Sequence, residues 1–159
     1  MITPFNPDLD LEINRLLKAP VARIWRCWTE PELFKQWWTP KPVVTSEAEL
    51  DLRPGGGFRT VMRMEDGSEH AFETCILDLE PERRLIWTDT LIAGFRPSPK
   101  PMFGFTGFVS MHPEDGGTRY IARAIHGKRE VAKSHEEMGF HSGWGTVTSQ
   151  LEELAGGLA

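Results

Sequence analysis

Six stretches with the composition of strands follow one another with no helix between them, at about residues 43–52, 57–64, 69–79, 84–92, 103–112 and 118–126. Most are separated by turn chemistry: Arg53-Pro-Gly-Gly-Gly57, Glu65-Asp-Gly-Ser68, Glu80-Pro-Glu82 and Glu114-Asp-Gly-Gly117. Connections this short join antiparallel neighbours. A further strand precedes them, because Leu9, Leu11 and Ile13 alternate with Asp10, Glu12 and Asn14. Seven strands with one apolar face need a cover, and only the C-terminal segment is long enough to supply it.

That segment, Ser134 to Ala155, reads as one long helix, with Phe140, Trp144, Val147, Leu151 and Leu154 recurring at alternating spacings of four and three. Gly139, Gly143 and Gly145 interrupt the stripe, and each costs about 1 kcal/mol against alanine in a helix interior. Either another backbone passes close by, or space is kept beside Trp144 for a ligand. Two shorter helices fall between strand one and the strand run. Pro20 opens the first, with Val21, Ile24, Trp25 and Trp28 on one face. Thr29-Glu30-Pro31-Glu32 offers the second a capping box and an early proline, and Leu33, Phe34, Trp37 and Trp38 form its apolar side before Pro40 and Pro42 end it. The predicted class is α+β: a curved seven-stranded antiparallel sheet gripping a long C-terminal helix, with two short helices after strand one.

The 159 residues suit one domain spanning the whole chain. A net charge of −5 with scattered arginines leaves no basic stripe for nucleic acid. No run of ~18 apolar residues is present to span a membrane, and the N-terminus lacks the basic and apolar regions of a signal peptide, so a cytoplasmic location is expected. Cys27 and Cys75 fall inside regular elements without motif spacing and read as reduced core thiols.

Gly94-Phe-Arg-Pro-Ser-Pro-Lys-Pro-Met102 is too proline-rich to pair as a strand and is the natural rim or lid loop. Gly55-Gly-Gly57 reads as a hairpin turn, since no Gly-Lys-Ser/Thr follows and the next element is a strand. His135 and His141 stand six apart, about 240° around a helix, which does not suit a shared metal ion. His70, His112 and His126 lie near strand ends, where a solvent-facing position is the default. His141 has two readings, a half-exposed ring on the helix flank or a ring turned into the cavity. Glu47, Glu49 and Asp51 alternate opposite Arg59 and Arg63, as ion pairs on a wet face or, in the sharper version, as a buried arginine for a ligand carboxylate. Asp89 shares the register of Leu85, Trp87 and Leu91; pointing inward, it would have a raised pKa and become a candidate acid or base, unless the alternation breaks at the strand end. Phe105, Gly107, Val109 and Met111 share one face, with Gly107 leaving room opposite the terminal helix. Six tryptophans need partners for their indole N–H groups if buried. Core filling accounts for some of them, and a mixed wall of Trp, Phe and Met is also the lining of an apolar ligand pocket.

Pro31-Glu-Leu-Phe-Lys-Gln-Trp-Trp38, Asp51-Leu-Arg-Pro-Gly-Gly-Gly-Phe58, Leu85-Ile-Trp-Thr-Asp89, Gly117-Thr-Arg119 and His135-Glu-Glu-Met-Gly-Phe-His-Ser-Gly-Trp144 together resemble the family named after the carboxy-terminal domain of the activator of the heat-shock-protein ATPase. This family is a branch of the START-like, helix-grip superfamily that also holds polyketide cyclases, lipid-transfer domains and birch-pollen allergens. The resemblance runs from about Leu11 to Leu154 in the same element order, and it implies a helix-grip fold with a cavity between sheet and helix. It carries no catalytic residues across, because the acid–base pattern of the cyclases has no residue-by-residue counterpart here. The additional amino-terminal domain of the named co-chaperone also has no counterpart before strand one, which argues against direct ATPase activation.

The functional expectation is therefore binding of a small apolar or amphipathic molecule between sheet and terminal helix, at Trp28, Trp37, Trp87, Phe105, Met138, His141 and Trp144, with residues 94–102 controlling entry. Two other readings stay open. One is a cofactor-free enzyme of cyclase or hydrolase type in which Asp89 or His141 moves a proton. The other is a co-chaperone or protein-interaction module that meets a chaperone through its acidic surface and edge strands. Neither cofactor nor metal is expected. The chain is read as a monomer or homodimer, the Gly139/Gly143 spacing being one that admits a second helix.

Overall fold

The computed structural model describes residues 4–159. Strand β1 (Asp10–Leu17) leads into helix α1 (Val21–Thr29) and the single turn α2 (Pro31–Phe34). Strands β2 (Val44–Leu50), β3 (Gly57–Arg63), β4 (Glu69–Glu80) and β5 (Arg84–Thr88) follow as successive hairpins. A two-residue ribbon, β6 (Leu91–Ile92) with β7 (Arg96–Pro97), precedes β8 (Phe105–Glu114), β9 (Gly117–His126) and helices α3 (Arg129–Glu137) and α4 (Phe140–Gly156). Seven strands form one antiparallel sheet in the order β1-β9-β8-β5-β4-β3-β2. β1 and β2 are its two edges, and α1 and α2 carry the chain from one to the other.

The core lies between one sheet face and the helices. Val21, Ile24, Cys27 and Trp28 of α1 and Val147, Leu151 and Ala155 of α4 are buried with Leu17, Leu85, Val109, Met111 and Tyr120 of the sheet. Burying each large apolar side chain contributes about 1.5–3 kcal/mol. Polar tips inside this core are matched: the Trp28 indole donates to the Tyr120 hydroxyl at 3.2 Å, the Trp37 indole to the Cys27 carbonyl at 2.9 Å, and the Thr118 hydroxyl to the Ala19 carbonyl at 2.6 Å. Burial holds the Tyr120 hydroxyl well above the usual phenol range and pushes the Cys27 thiol up to about 11. Cys27 and Cys75 are both buried free thiols.

Four local expectations change. The tail is two helices, because Gly139 adopts the left-handed conformation at φ 98°. The Gly139 N–H closes α3 on the Glu136 carbonyl at 3.0 Å, and its own carbonyl then accepts from Gly143 at 2.8 Å to start α4. Gly139 thus carries no helix-interior penalty; it is the residue that permits the break. Strand 84–92 stops at Thr88, whose hydroxyl meets Thr90 Oγ1 at 2.8 Å, and resumes as β6. Arg96–Pro97, expected not to pair, faces Leu91–Ile92 across the small ribbon, where an edge tolerates proline's missing N–H. No capping box forms at α2: Glu30 occupies the N-cap without a side-chain capping bond, its carboxylate accepting from Arg26 instead, and the Thr29 hydroxyl donates back to the Trp25 carbonyl at 2.8 Å.

Candidate functional site

A cleft of about 720 Å³ opens between the sheet, α4 and the segment leading into β8. Phe58, Thr60 and Met62 of β3, Phe72 and Thr74 of β4, Trp87 of β5 and Phe105 of β8 line its sheet side. Pairing of Phe58 with Thr74 and of Thr60 with Phe72 sets these side chains on the face that the helices cover. Gly143, Trp144 and Val147 line the helix side, while Trp38, Pro40, Phe103 and His135 close the ends.

Aromatic rings continue from the core into this cleft. Trp38 meets Trp144 at 5.5 Å and Phe58 at 5.6 Å between centroids, and Trp87 lies nearly parallel to Trp144 at 6.5 Å. Trp87 takes the space over Gly107, where a Cβ would come within 2.4 Å of the indole, so that glycine seats a ring and leaves no room for a ligand. Gly143 behaves differently. A Cβ there, or on Gly145, would meet nothing within 4 Å, and Gly143 borders the cleft. Of the two explanations for the glycines in the stripe, close backbone approach does not occur at these positions, and open space beside Trp144 does.

The indoles divide the same way. Those of Trp28 and Trp37 donate within the core, whereas those of Trp38, Trp87 and Trp144 have no acceptor among the described residues. Because no buried side-chain nitrogen or oxygen among those residues lacks a partner, the latter three N–H groups keep contact with solvent, and all three residues line the cleft.

Two polar constructions stand at the end formed by Phe103 and His135. Asp89 does point inward and is only 4 % exposed, but its carboxylate is taken: it accepts from the backbone N–H of Phe103 at 2.7 Å, Gly104 at 3.1 Å and Phe105 at 2.8 Å. It thereby clamps the entry into β8 at the cleft wall. Beside it, His126 Nε2 meets His135 Nδ1 at 2.9 Å, and His126 Nδ1 donates to the Leu9 carbonyl at 2.8 Å. Burial, then His126, lower the His135 pKa to about 4, against an opposing pull from Asp89. His126 is 4 % exposed, not at a solvent-facing rim. Its inward position follows the even register of Tyr120, Ala122 and Ala124, all buried, and that register is the signal that could have found it.

The structure brings Trp87, Phe105 and Trp144 to the cleft and places the other proposed ligand contacts elsewhere. Trp28 and Trp37 are core residues beneath it. Met138, at the α3–α4 break, is 70 % exposed and outside the cleft, because the left-handed Gly139 ends the helical stripe there. His141 takes the flank reading, bonded through Nε2 to Glu136 at 3.1 Å on the exposed surface. Arg59 pairs with Glu47 at 3.1 Å, and neither residue lines the cleft. Trp38, Phe103, His126 and His135 were not among the expected site residues; Trp38 had the right helical spacing, while α3 and the His pairing depend on contacts remote from any one motif. The second half of the expected rim loop, Lys100 to Met102, does form a wall, and the loop base is tied by the Gly94 N–H to the Gly55 carbonyl at 2.8 Å.

A seven-stranded sheet closed over by a C-terminal helix, with a cleft between them, defines a helix-grip protein. The chain belongs to the family described as activator of Hsp90 ATPase homolog 1-like proteins, which it matches over residues 18–156. Among solved structures it resembles a protein of Nitrosomonas europaea at 45 % identity and a TM-score of 0.90, covering 94 % of this chain and 96 % of that one. A Mycobacterium smegmatis protein follows at 26 % identity and TM-score 0.78, covering 92 % and 90 %. A Rhodobacter sphaeroides protein at 18 % identity and TM-score 0.82, covering 100 % and 99 %, shares the fold. No curated protein matches. No helix among the described residues is long and apolar enough to cross a membrane.

Proposed function

We propose that the protein binds a small apolar or amphipathic molecule in the cleft between sheet and α4. The observation that carries this reading is the change in tryptophan environment along one aromatic cluster: the inner indoles are sealed and hydrogen-bonded, while Trp38, Trp87 and Trp144 line about 720 Å³ of open space and have no acceptor for their N–H groups among the described residues. That volume lies within the usual range of roughly 300–1,000 Å³ for small-molecule sites. Apolar burial, at about 25 cal/mol per Å², supplies the drive, and the few polar groups orient the ligand. Lys100 to Phe103 form the wall nearest solvent and control entry. An enzyme reading has less support, since Asp89 is committed to backbone donors and His141 lies outside the cleft.

The test is a titration of fatty acids, aromatic polyketides and flavonoids against intrinsic tryptophan fluorescence. Saturable quenching or a blue shift at micromolar ligand, lost in a folded Trp144→Ala variant, is expected. A flat response across the panel contradicts the reading and favours a protein-interaction role for the chain.

A further inference from the structure

We infer that the His126–His135 pair is a recognition device for a hydroxyl group, so that the ligand of the cleft is a flat aromatic molecule bearing an O–H donor. This rests on the cleft being a ligand site. The Leu9 carbonyl can only accept, so the Nδ1 of His126, at 2.8 Å, carries a proton. In the uncharged pair the other His126 nitrogen, Nε2, is then an acceptor, and His135 Nδ1 at 2.9 Å must donate to it. The proton of His135 is thereby fixed on Nδ1. Its Nε2 is left with a lone pair and without a partner among the described residues, on a ring that borders the cleft.

The surroundings select what meets that lone pair. Phe103 stacks on the imidazole at 4.0 Å with an interplanar angle of 11°, and Phe105 and Phe140 press their rings against it at 5.5 and 5.4 Å. These three rings hold the imidazole in one orientation and keep its face away from water. The neighbouring carboxylate, Asp89, already accepts three backbone N–H groups, two on Oδ2 and one on Oδ1, which hold it against the entry into β8. The same cleft is lined by the indole rings of Trp87 and Trp144, nearly parallel at 6.5 Å between centroids, which favours a planar aromatic body beside them. His135 thus offers an acceptor with no partner among the described residues, in a setting where an apolar substituent would leave it unpaired.

Three matched pairs test this by calorimetry on the full chain: naphthol, hydroxybiphenyl and hydroxyflavone, each against its methyl ether. Each hydroxylated probe is expected to bind about tenfold more tightly than its ether. His135→Phe keeps the aromatic packing, so it should bring that ratio to near one while the affinities of the ethers hold. Equal affinities within every pair in the wild-type protein, or discrimination that survives His135→Phe, overturn the hydroxyl inference and leave the binding reading standing. Binding of none of the six probes overturns both. If His135→Phe does not fold, nitrogen-15 NMR of the wild-type histidines decides: a protonated Nδ1 on His135, with an Nε2 signal that moves on adding naphthol but not its ether, supports the device. A protonated Nε2 in the free protein contradicts it.

Discussion

The two ends of the helix-covered sheet face use the same residue types to opposite effect. Around α1, Trp28, Phe34, Trp37 and Tyr120 pack without accessible surface, and each polar tip of the two indoles and the phenol finds a protein partner. Around the middle of α4, Trp38, Trp87 and Trp144 stand in the same ring-to-ring sequence, yet their N–H groups have no acceptor among the described residues. What differs is the helix above them. α1 presents Ile24, Cys27 and Trp28 to the sheet, whereas α4 presents Gly143 at the corresponding opening. An aromatic cluster becomes a binding wall where the covering element withholds a side chain.

Substitution of matched tryptophans breaks this comparison most directly. Trp28→Ala should cost about 3–5 kcal/mol in chemical denaturation, as a fully enclosed ring is removed. Trp144→Ala should cost less than half as much, since part of its ring faces open space; equal losses would show the cleft to be packed in solution. Asp89→Ala comes next, at about 1–3 kcal/mol, because three backbone N–H groups lose their acceptor. Limited proteolysis of that variant should cut first between Ser98 and Phe105.

Acid sensitivity belongs to the open end as well. His135 takes up a proton near pH 4 in the folded protein and near 6.5 in the unfolded chain. Between those values the unfolded chain binds more protons, so stability present above pH 6.5 is lost as the pH falls towards 4. The loss is roughly 2 kcal/mol after discounting for partial exposure. His126 and Asp89 face the same ring, and His135→Phe should flatten urea midpoints over this window relative to wild type. The smallest expected effect is at Gly143: alanine there meets no atom within 4 Å and should stabilise α4 by up to about 1 kcal/mol. It should also weaken ligand binding, the two changes having opposite signs.

The sheet was legible because its signals are local: a period of two along the strands and Gly, Pro and Asp at the turns, from Arg53-Pro-Gly-Gly-Gly57 to Glu114-Asp-Gly-Gly117. The cover was legible too, through the spacing of Phe140, Val147 and Leu151. Gly139 was not, since the same residue serves as a poor helix member or a good left-handed terminator, and the choice depends on where α3 docks. Neither were the roles of adjacent Trp37 and Trp38, which lie on one short apolar face until the turn after Phe34 sends one into the core and the other to the cleft wall. The His126–His135 contact joins a strand end to a helix across the turn at residues 127–128, and no periodicity within either element encodes it.

The division between sealed and open indoles is best tested by fluorine NMR of the protein labelled with fluorotryptophan, its resonances assigned by single Trp→Phe changes, during titration with hydroxyflavone. Saturable shifts at Trp38, Trp87 and Trp144, with Trp28 and Trp37 stationary, are predicted. Shifts confined to Trp28 and Trp37, or no shift at any indole, would contradict a ligand cleft between sheet and α4.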